Sequence, residues 1–395
     1  MRTARLFSTA VFFLLASASR AQAYPWMIRH GYAQCATCHA DPAGGSLLNP
    51  YGRAQGEILM RMRYQTPPDR EPGRWAEPLG GIFELPSALL IGGDIRYANV
   101  RMMPEGGDAQ SRFILMQADA LAQWSLGPVR ANGSIGFVSE GANGAAITRG
   151  TALDEKLVSR HHWIGIDMGS QEQWLLRAGR MNVPFGLRSI EHTLFVRAET
   201  QTDTNASQTY GVEADYHDGP LRAGGMLIAG NFAVSPDHFR SRGYAGFAEY
   251  AVHPTAAVGL SSMITHAKLD LVYLTPAFRH AHGAFFRYSP VQPAVLSGEW
   301  DFLFVSQPTP DTNTFGGAGM LTLDIEPVQG LHVAPTYELD ARDFGGPKSH
   351  GYWVSAWWFF LPHADARVDV IGQRLASPAG AAYALTLVAQ VHVYL

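Results

Sequence analysis

Charge is scarce in this 395-residue chain: Asp, Glu, Lys and Arg make up 16% of it, against roughly 25% in an average soluble domain. Positive charge is not in surplus either. The 30 Lys and Arg face 34 Asp and Glu, a net charge of −4, which argues against a nucleic-acid partner, because such binding calls for a basic surface. There are two cysteines, too few for a disulfide scaffold. Past residue 24 no apolar run approaches the roughly 18 to 20 residues of a membrane-spanning helix, and mean hydropathy is only −0.05. A 47% apolar content with so small a net charge also excludes a disordered chain. What is plentiful is glycine (41), tyrosine (15) and tryptophan (9). Together these fit a chain whose strands alternate apolar and polar positions.

The first residues form an address. Arg2 and Arg5 precede an apolar stretch from Val11 to Ala16, and Ala21-Gln22-Ala23 has the small-x-small form of a signal-peptidase site. Residues 1–23 are therefore expected to be a cleaved secretory signal, the stretch being too short for an anchor. Loss of Arg2, Arg5 and Arg20 would leave 27 basic against 34 acidic residues, a net charge of −7.

Both cysteines lie in Cys35-Ala36-Thr37-Cys38-His39. Exported cysteines often pair as disulfides, and a Cys-x-x-Cys can also be a thioredoxin-like or zinc motif. The βαβ context of the first and the further ligands of the second are missing. The Cys-x-x-Cys-His spacing meets the needs of covalent haem c attachment: two thiols for the two vinyl groups, and an adjacent imidazole, His39, for the iron. Asp41-Pro42-Ala43-Gly44-Gly45 follows as a turn-rich loop, and Arg53 to Met62 is expected to form a short helix. Residues 24–64 thus read as a very small monohaem cytochrome c-like domain, of a size that needs a covalent staple. Residues 65–84, with Pro67, Pro68, Pro72 and Pro78, read as an extended linker. For the sixth iron position Met60 is the first choice, since methionine raises the potential. Met62, Met27, His30 or an open position remain alternatives, and methionine more often fills core space.

From residue 85 to 395 the chain alternates. Tyr210, Val212, Ala214 and Tyr216 fall opposite Thr209, Gly211, Glu213 and Asp215. Leu296, Trp300, Phe302 and Phe304 fall opposite Ser297, Glu299 and Asp301. Tyr383, Leu385, Leu387, Val391 and Val393 fall opposite Thr386, Gln390 and His392. Tight turns near Gly127, Gly169, Gly219, Pro254, Pro290, Pro327 and His363 alternate with longer polar loops near residues 104–110, 140–154, 187–205, 231–240, 269–279, 307–313 and 342–349. A short loop near 377–380 precedes the last strand. The count gives a roughly 16-stranded transmembrane β-barrel with both ends on the short-turn side, the periplasmic side in bacterial outer membranes. A soluble β-sandwich would not show loops so one-sided. Trp124, Trp163, Trp174, Tyr210, Tyr244, Trp353, Trp357 and Trp358 are expected to form interfacial aromatic girdles.

Inward charges suggest an acidic lumen wall of Glu213, Asp215, Glu299, Asp301, Asp324, Glu338 and Asp340, able to attract cations and to guide ferrous ions. Arg130, Arg177 and Arg367 share that face, so a paired structural network is an equal alternative. His161, His162, His280 and His282 are candidate surface metal contacts.

A signal segment, one Cys-x-x-Cys-His motif and a sixteen-stranded barrel resemble the fused monohaem cytochrome–porins of bacterial outer membranes, whose best known members are iron oxidases. The residues that carry the resemblance are Tyr24-Pro25, Cys35, Cys38, His39 and Leu48-Asn49-Pro50-Tyr51-Gly52, with Gly179 to Arg188 looking like a porin strand end that enters an external loop. The resemblance implies an all-β barrel plugged by a small α-helical haem c domain. It implies electron transfer across the outer membrane, from an extracellular donor such as Fe(II) to a periplasmic c-type cytochrome, an Fe(II):cytochrome c oxidoreductase activity. Its partners would be that donor, that cytochrome and outer-membrane lipid. A porin or channel whose haem domain acts as plug, gate or sensor is the alternative, and a haem enzyme with an open sixth position is a third.

Overall fold

A computed structural model describes residues 24–42, 44–45, 47–63, 73–74, 77, 80–82, 84–137, 157–191, 193–309 and 312–395. The expected signal segment, most of the linker and the 140–154 loop lie outside the described residues.

Sixteen antiparallel strands form one sheet closed on itself. They are β1 (Leu89–Pro104), β2 (Gln110–Leu126), β3 (Val129–Phe137), β4 (Leu157–Val158 and, after a break, His162–Met168), β5 (Trp174–Met181), β6 (Thr209–Asp218), β7 (Leu221–Gly230) and β8 (Arg242–His253). The circuit continues through β9 (Ala256–Ala267), β10 (Ala277–Val291), β11 (Ala294–Ser306), β12 (Thr314–Val328), β13 (Leu331–Ala341), β14 (Ser349–Leu361), β15 (Ala364–Ser377) and β16 (Gly380–Tyr394). Each strand pairs with its sequence neighbours. β1 closes on β16 in the register Asp94↔Tyr394 through Pro104↔Ala384, so no edge is left open.

The strand period of two sorts side chains cleanly. Ile95, Phe113, Ile164, Val212, Leu227, Leu260, Phe302 and Val368 are exposed on the outside, while Asp94, Arg177, Glu213, Asp215, Glu249, Glu299 and Asp369 are buried inside. An apolar exterior around a polar interior is the arrangement of a barrel that sits in lipid. The girdle expectation needs correction. Trp124, Trp174 and Trp358 face out, but Trp163, Trp353 and Trp357 are buried in the lumen. The parity required it: Trp357 and Trp358 are consecutive in β14 and must point to opposite faces, and Trp353 shares the parity of Trp357.

The lumen is filled from both ends. At the short-turn end, residues 24–63 form a plug held around its rim. Arg29 pairs with Asp324 and Glu326 at 3.2 Å each, Gln34 donates to the Gly219 carbonyl at 2.7 Å, and Arg287 donates to the Ala33 carbonyl at 2.9 Å. Gln329 donates to the carbonyls of Ile58 and Arg61, and the Met62 amide donates to Phe359 at 2.7 Å. The plug's helix α1 (Pro50–Gln55) begins three residues before the expected Arg53 because Asn49 caps it, its Oδ1 accepting from the Gly52 amide at 2.8 Å, with Pro50 at the first position. Gly56–Met60 extends it as a π turn.

From the other end, the segment between β5 and β6 folds into the barrel, where an external loop was expected. It carries helix α2 (Phe195–Thr200) with Val196 and Arg197 buried. The segment's anchors are on the far wall: Arg197 pairs with Glu299, the Leu187 and Phe195 amides donate to Glu299 and Glu338, and Glu191 pairs with Arg367 at 2.9 Å. Met181, Val183, Phe185, Leu187, Leu194 and Val196 supply its apolar contacts. A sequence reading that placed this loop outside missed that it alternates apolar residues with the polar ones.

The lumen charges are mostly paired, which favours the structural network over a bare acidic wall. Arg177 faces Asp41 of the plug at 2.9 Å, Glu213 at 3.0 Å and Asp215 at 3.4 Å. Asp324 also meets His332 at 3.0 Å, Asp340 lies 3.5 Å from Arg342, Arg130 pairs with Asp167, and Arg367 holds Asp369 at 2.7 Å. Among the described residues, no group of three or more His, Cys, Asp or Glu could hold a metal ion. His280 and His282 sit on the barrel's outer face beside Phe304 and Ser262.

Two outcomes follow. Replacing Arg177 by Leu strands three buried carboxylates across the plug–wall contact. A loss of about 3–5 kcal/mol is expected, read as a lower urea midpoint for the folded barrel. In vesicles of brominated lipid, Trp→Phe at Trp124, Trp174 or Trp358 removes quenchable emission, whereas the same change at Trp163, Trp353 or Trp357 leaves the quenchable part intact.

Candidate functional site

The Cys35–Thr37 segment is a single tight turn, closed by the Cys38 and His39 amides, which both donate to the Cys35 carbonyl at 3.2 and 3.1 Å. Two thiols and one imidazole therefore leave the chain within five residues. The following strand-like return locks this turn. His39 bridges to Leu48, the Ala40 amide donates to Leu47, and the Asn49 amide donates to the Cys38 carbonyl, each at 2.9 Å. The Asn49 side chain donates to the Thr37 carbonyl at 2.8 Å. Gly52 must be glycine for packing reasons: a Cβ there would lie 2.2 Å from the Cys38 carbonyl oxygen. The Leu48–Gly52 stretch is thus the clamp that holds Cys38 against α1.

Both cysteines are free and buried, so neither the disulfide nor a zinc cluster is formed among the described residues. Burial first, then the neighbouring Cys35, pushes the Cys38 thiol up to about 12. Cys35 Sγ meets the guanidinium of Arg222 and lies 3.8 Å from Arg188 Nη2. Arg222 in turn pairs with Glu249, which also holds Arg287.

Cys35, Cys38 and His39 line one cavity of about 140 Å³. Three pieces of chain enclose it. The plug gives the motif together with Tyr24, Met27, Gly44, Gly45 and Met60. The inward-folded loop gives Asn182, Leu187, Arg188 and Asn205, and the wall gives Asp94, Arg96, Arg160, His161, His392 and Tyr394. His39 is buried, and neither of its ring nitrogens has a hydrogen-bond partner. Burial pushes its pKa down to about 4; the Gly45 backbone, close but without a well-formed hydrogen bond, and Asp41 oppose this weakly. His39 is therefore a buried, neutral imidazole with free lone-pair capacity.

Of the candidates for the position opposite His39, Met60 and Met27 both line the cavity. Met60 is 7% exposed, and its sulfur is 3.9 Å from the Tyr394 hydroxyl. Met62 is turned away and accepts from Trp358 Nε1 at 3.0 Å. His30 is half-buried elsewhere in the plug, not on the cavity, and partial burial pushes its pKa down to about 4. A residue missed in sequence is His161. Read as a surface contact, it lies in the break of β4, is 5% exposed, and lines the cavity with its Nδ1 unpartnered. Its neighbour His162 belongs to the outward face. His161 shares the inward parity of Trp163, so alternation sends it to the lumen, and the girdle expectation for Trp163 hid this. Arg96, Arg160 and Arg188 were likewise not singled out, because their convergence depends on three distant segments.

No known family model matches the chain, and no curated protein does either. Solved structures do. The channel DcaP of Acinetobacter baumannii is similar over 79% of this chain and 99% of its own, at 9% identity and a TM-score of 0.58. An anion-selective porin from Comamonas acidovorans is similar over 78% and 99%, at 13% identity and a TM-score of 0.57. A loop-deletion mutant of the outer membrane protein OmpT of Vibrio cholerae is similar over 78% and 100%, at 10% identity and a TM-score of 0.57. At such identities the likeness is one of fold: the chain has the closed sixteen-stranded barrel of outer-membrane porins.

Proposed function

We propose that this chain is an outer-membrane barrel whose plug carries one covalently bound haem c, and that it passes electrons from an extracellular donor to a periplasmic c-type cytochrome. The observation that carries this reading is the placement of Cys35, Cys38 and His39 together on an enclosed luminal cavity, with both His39 nitrogens buried and unpartnered. A buried imidazole left so is costly unless a ligand takes up one nitrogen. The donor set suits haem c.

Haem at this site would supply reversible one-electron chemistry at iron. Cys35 and Cys38 would hold its vinyl edge, and His39 would present the proximal nitrogen, with its tight turn fixing the ring. Met60, Met27 and His161 are the side chains on hand for the opposite position. The porin-like fold supports a place in the outer membrane. The plug occupies the short-turn end, the periplasmic end in such barrels, within reach of a soluble cytochrome. Fe(II) is the donor class this reading takes as substrate, which would make the chain an Fe(II):cytochrome c oxidoreductase.

The second reading is a porin or channel in which the plug is a gate or sensor. It draws on the likeness to solved channels and porins, which is broader support than the cysteine motif has, since that likeness spans most of the chain.

The two separate experimentally. On the first, the chain expressed with a c-type maturation system keeps haem through denaturing electrophoresis, and Cys35→Ala with Cys38→Ala loses it. In proteoliposomes external Fe(II) reduces the haem, and His39→Ala abolishes that reduction. A wild-type chain free of haem, whose bilayers show porin-sized conductance steps once residues 24–63 are deleted, would establish the second.

A further inference from the structure

One stretch of the outer wall is basic and polar where a lipid-facing surface is expected to be apolar. It lies at the long-loop end of β8, β9 and β10. Strand pairing sets Arg242, His266 and Phe278 side by side in one row and Tyr244, Ile264 and His280 in the next. Gly246, Ser262 and His282 make the third. All share the parity of Val258 and Leu260, which are exposed on the outside. Lys268 follows just past the end of β9 and is exposed. The acids nearby are Asp237 and Asp270, and Asp270 is held by Arg279 at 2.6 Å. The hydrogen bond from Arg242, with the charges of Arg242, Arg240 and Lys268, holds the Asp237 carboxyl below its usual range. Lower on the same face the Tyr244 hydroxyl bonds Ser262 Oγ at 3.1 Å, and Ser262 Oγ bonds His282 Nδ1 at 3.0 Å. Ionisable and polar groups on a wall that faces hydrocarbon are costly unless something beside them is polar too.

Directly below these rows the wall is hollow. The next row is Ala248, Leu260, Ala284, Trp300 and Gly319, with Gly298 in the row after it. The small residues sink the surface between Leu260 and Trp300 and leave an apolar groove of about 860 Å³. A Cβ at Gly319 would lie 2.3 Å from the Trp300 ring, so that ring lies close against the backbone and keeps the groove deep. We propose that this face binds a phosphorylated, multiply acylated lipid of the outer leaflet. Its phosphate would meet Arg242 and Lys268, with His266 and His280 beneath, and an acyl chain would lie in the groove. The charges are complementary, and the cations stand at headgroup height beside Tyr244, an interfacial aromatic. The groove begins below them, where acyl chains begin. A second copy of this chain fits less well, because a two-fold contact here would set Arg242 and Lys268 against their own counterparts. Haem plays no part, so the outcome is independent of the function proposed above.

The test titrates the full chain in detergent with bis-phosphorylated lipid A and follows retention by native mass spectrometry. Wild type should keep a bound lipid, and Arg242→Ser with Lys268→Ser should weaken binding about thirtyfold, the effect of two basic side chains at a lipid surface. Ala284→Trp, which fills the groove and leaves the cations in place, should weaken it as well. Lipid A stripped of its phosphates should bind wild type no better than it binds the double variant. Equal retention of the phosphorylated lipid by wild type and the double variant, both running as folded barrels in heat-modifiability electrophoresis, overturns the proposal. Inorganic phosphate is the other source of the same chemistry. It should leave the melting temperature unchanged, and a rise that needs Arg242 and Lys268 would assign the patch to a free anion. Barrels that associate in lipid-free detergent and separate on the double substitution would assign the face to a second copy instead.

Discussion

Closure of the sheet is the constraint on which the rest depends. A strand in lipid must satisfy every backbone group within the sheet, and a barrel does so only by having no edge. The register from β1 to β16 achieves this. Once the ring is closed, the strand period leaves each side chain two destinations, lipid or lumen. Charges such as Arg177, Glu213, Glu249, Glu299 and Asp369 are sent inward, and the interior fills with ionised groups that have little access to water. Such groups are tolerable only when paired and hydrogen-bonded. Arg177 amid Asp41, Glu213 and Asp215, and Glu249 between Arg222 and Arg287, are the consequence.

The same constraint explains how a plug of some forty residues is held without a large core of its own. Its apolar residues Trp26, Met27, Ile28 and Met60 pack with Trp357, Phe359 and Ala334 of the barrel. Arg29, lying 4.9 Å from the Trp26 ring, combines that packing with its ion pairs to Asp324 and Glu326. The barrel therefore serves as the plug's missing second layer, and the plug supplies countercharges that the wall lacks. Arg29 does this for Asp324 and Glu326.

How much of this could be read from the residues depends on whether a feature is set by local parity or by distant convergence. The strands, their number and the short-turn and long-loop sides were legible, because alternation and turn residues are local. The parity of Trp357 against Trp358 was legible too, though a girdle reading that counted both outward overrode it. The motif Cys35-Ala36-Thr37-Cys38-His39 stood out by spacing, but the tight turn Cys35–Thr37 that presents it did not. What was hidden is convergence. The loop after Met181 looks polar enough for the outside, yet Val183, Phe185, Leu194 and Val196 give it an apolar side that only the lumen can bury. Arg188 meets Cys35 across 153 positions of sequence.

Convergence also bears on the two readings of function. The cavity has no wall that is complete by itself: the plug contributes the thiols and His39, the loop contributes Arg188 and Asn205, and the strands contribute Asp94, Arg96 and His392. Moving the plug far enough to open a path along the barrel would separate Cys35 from Arg222 and Arg188, Asp41 from Arg177, and Met60 from Tyr394. The enclosed site and an open pore are therefore alternative states of the same lumen. An electron carrier built this way has reason to stay plugged, because the contacts that shut the barrel are the ones that shape the cavity. A gate built this way would have to part Arg29 from Asp324 and Glu326, and Asp41 from Arg177, each time it opened.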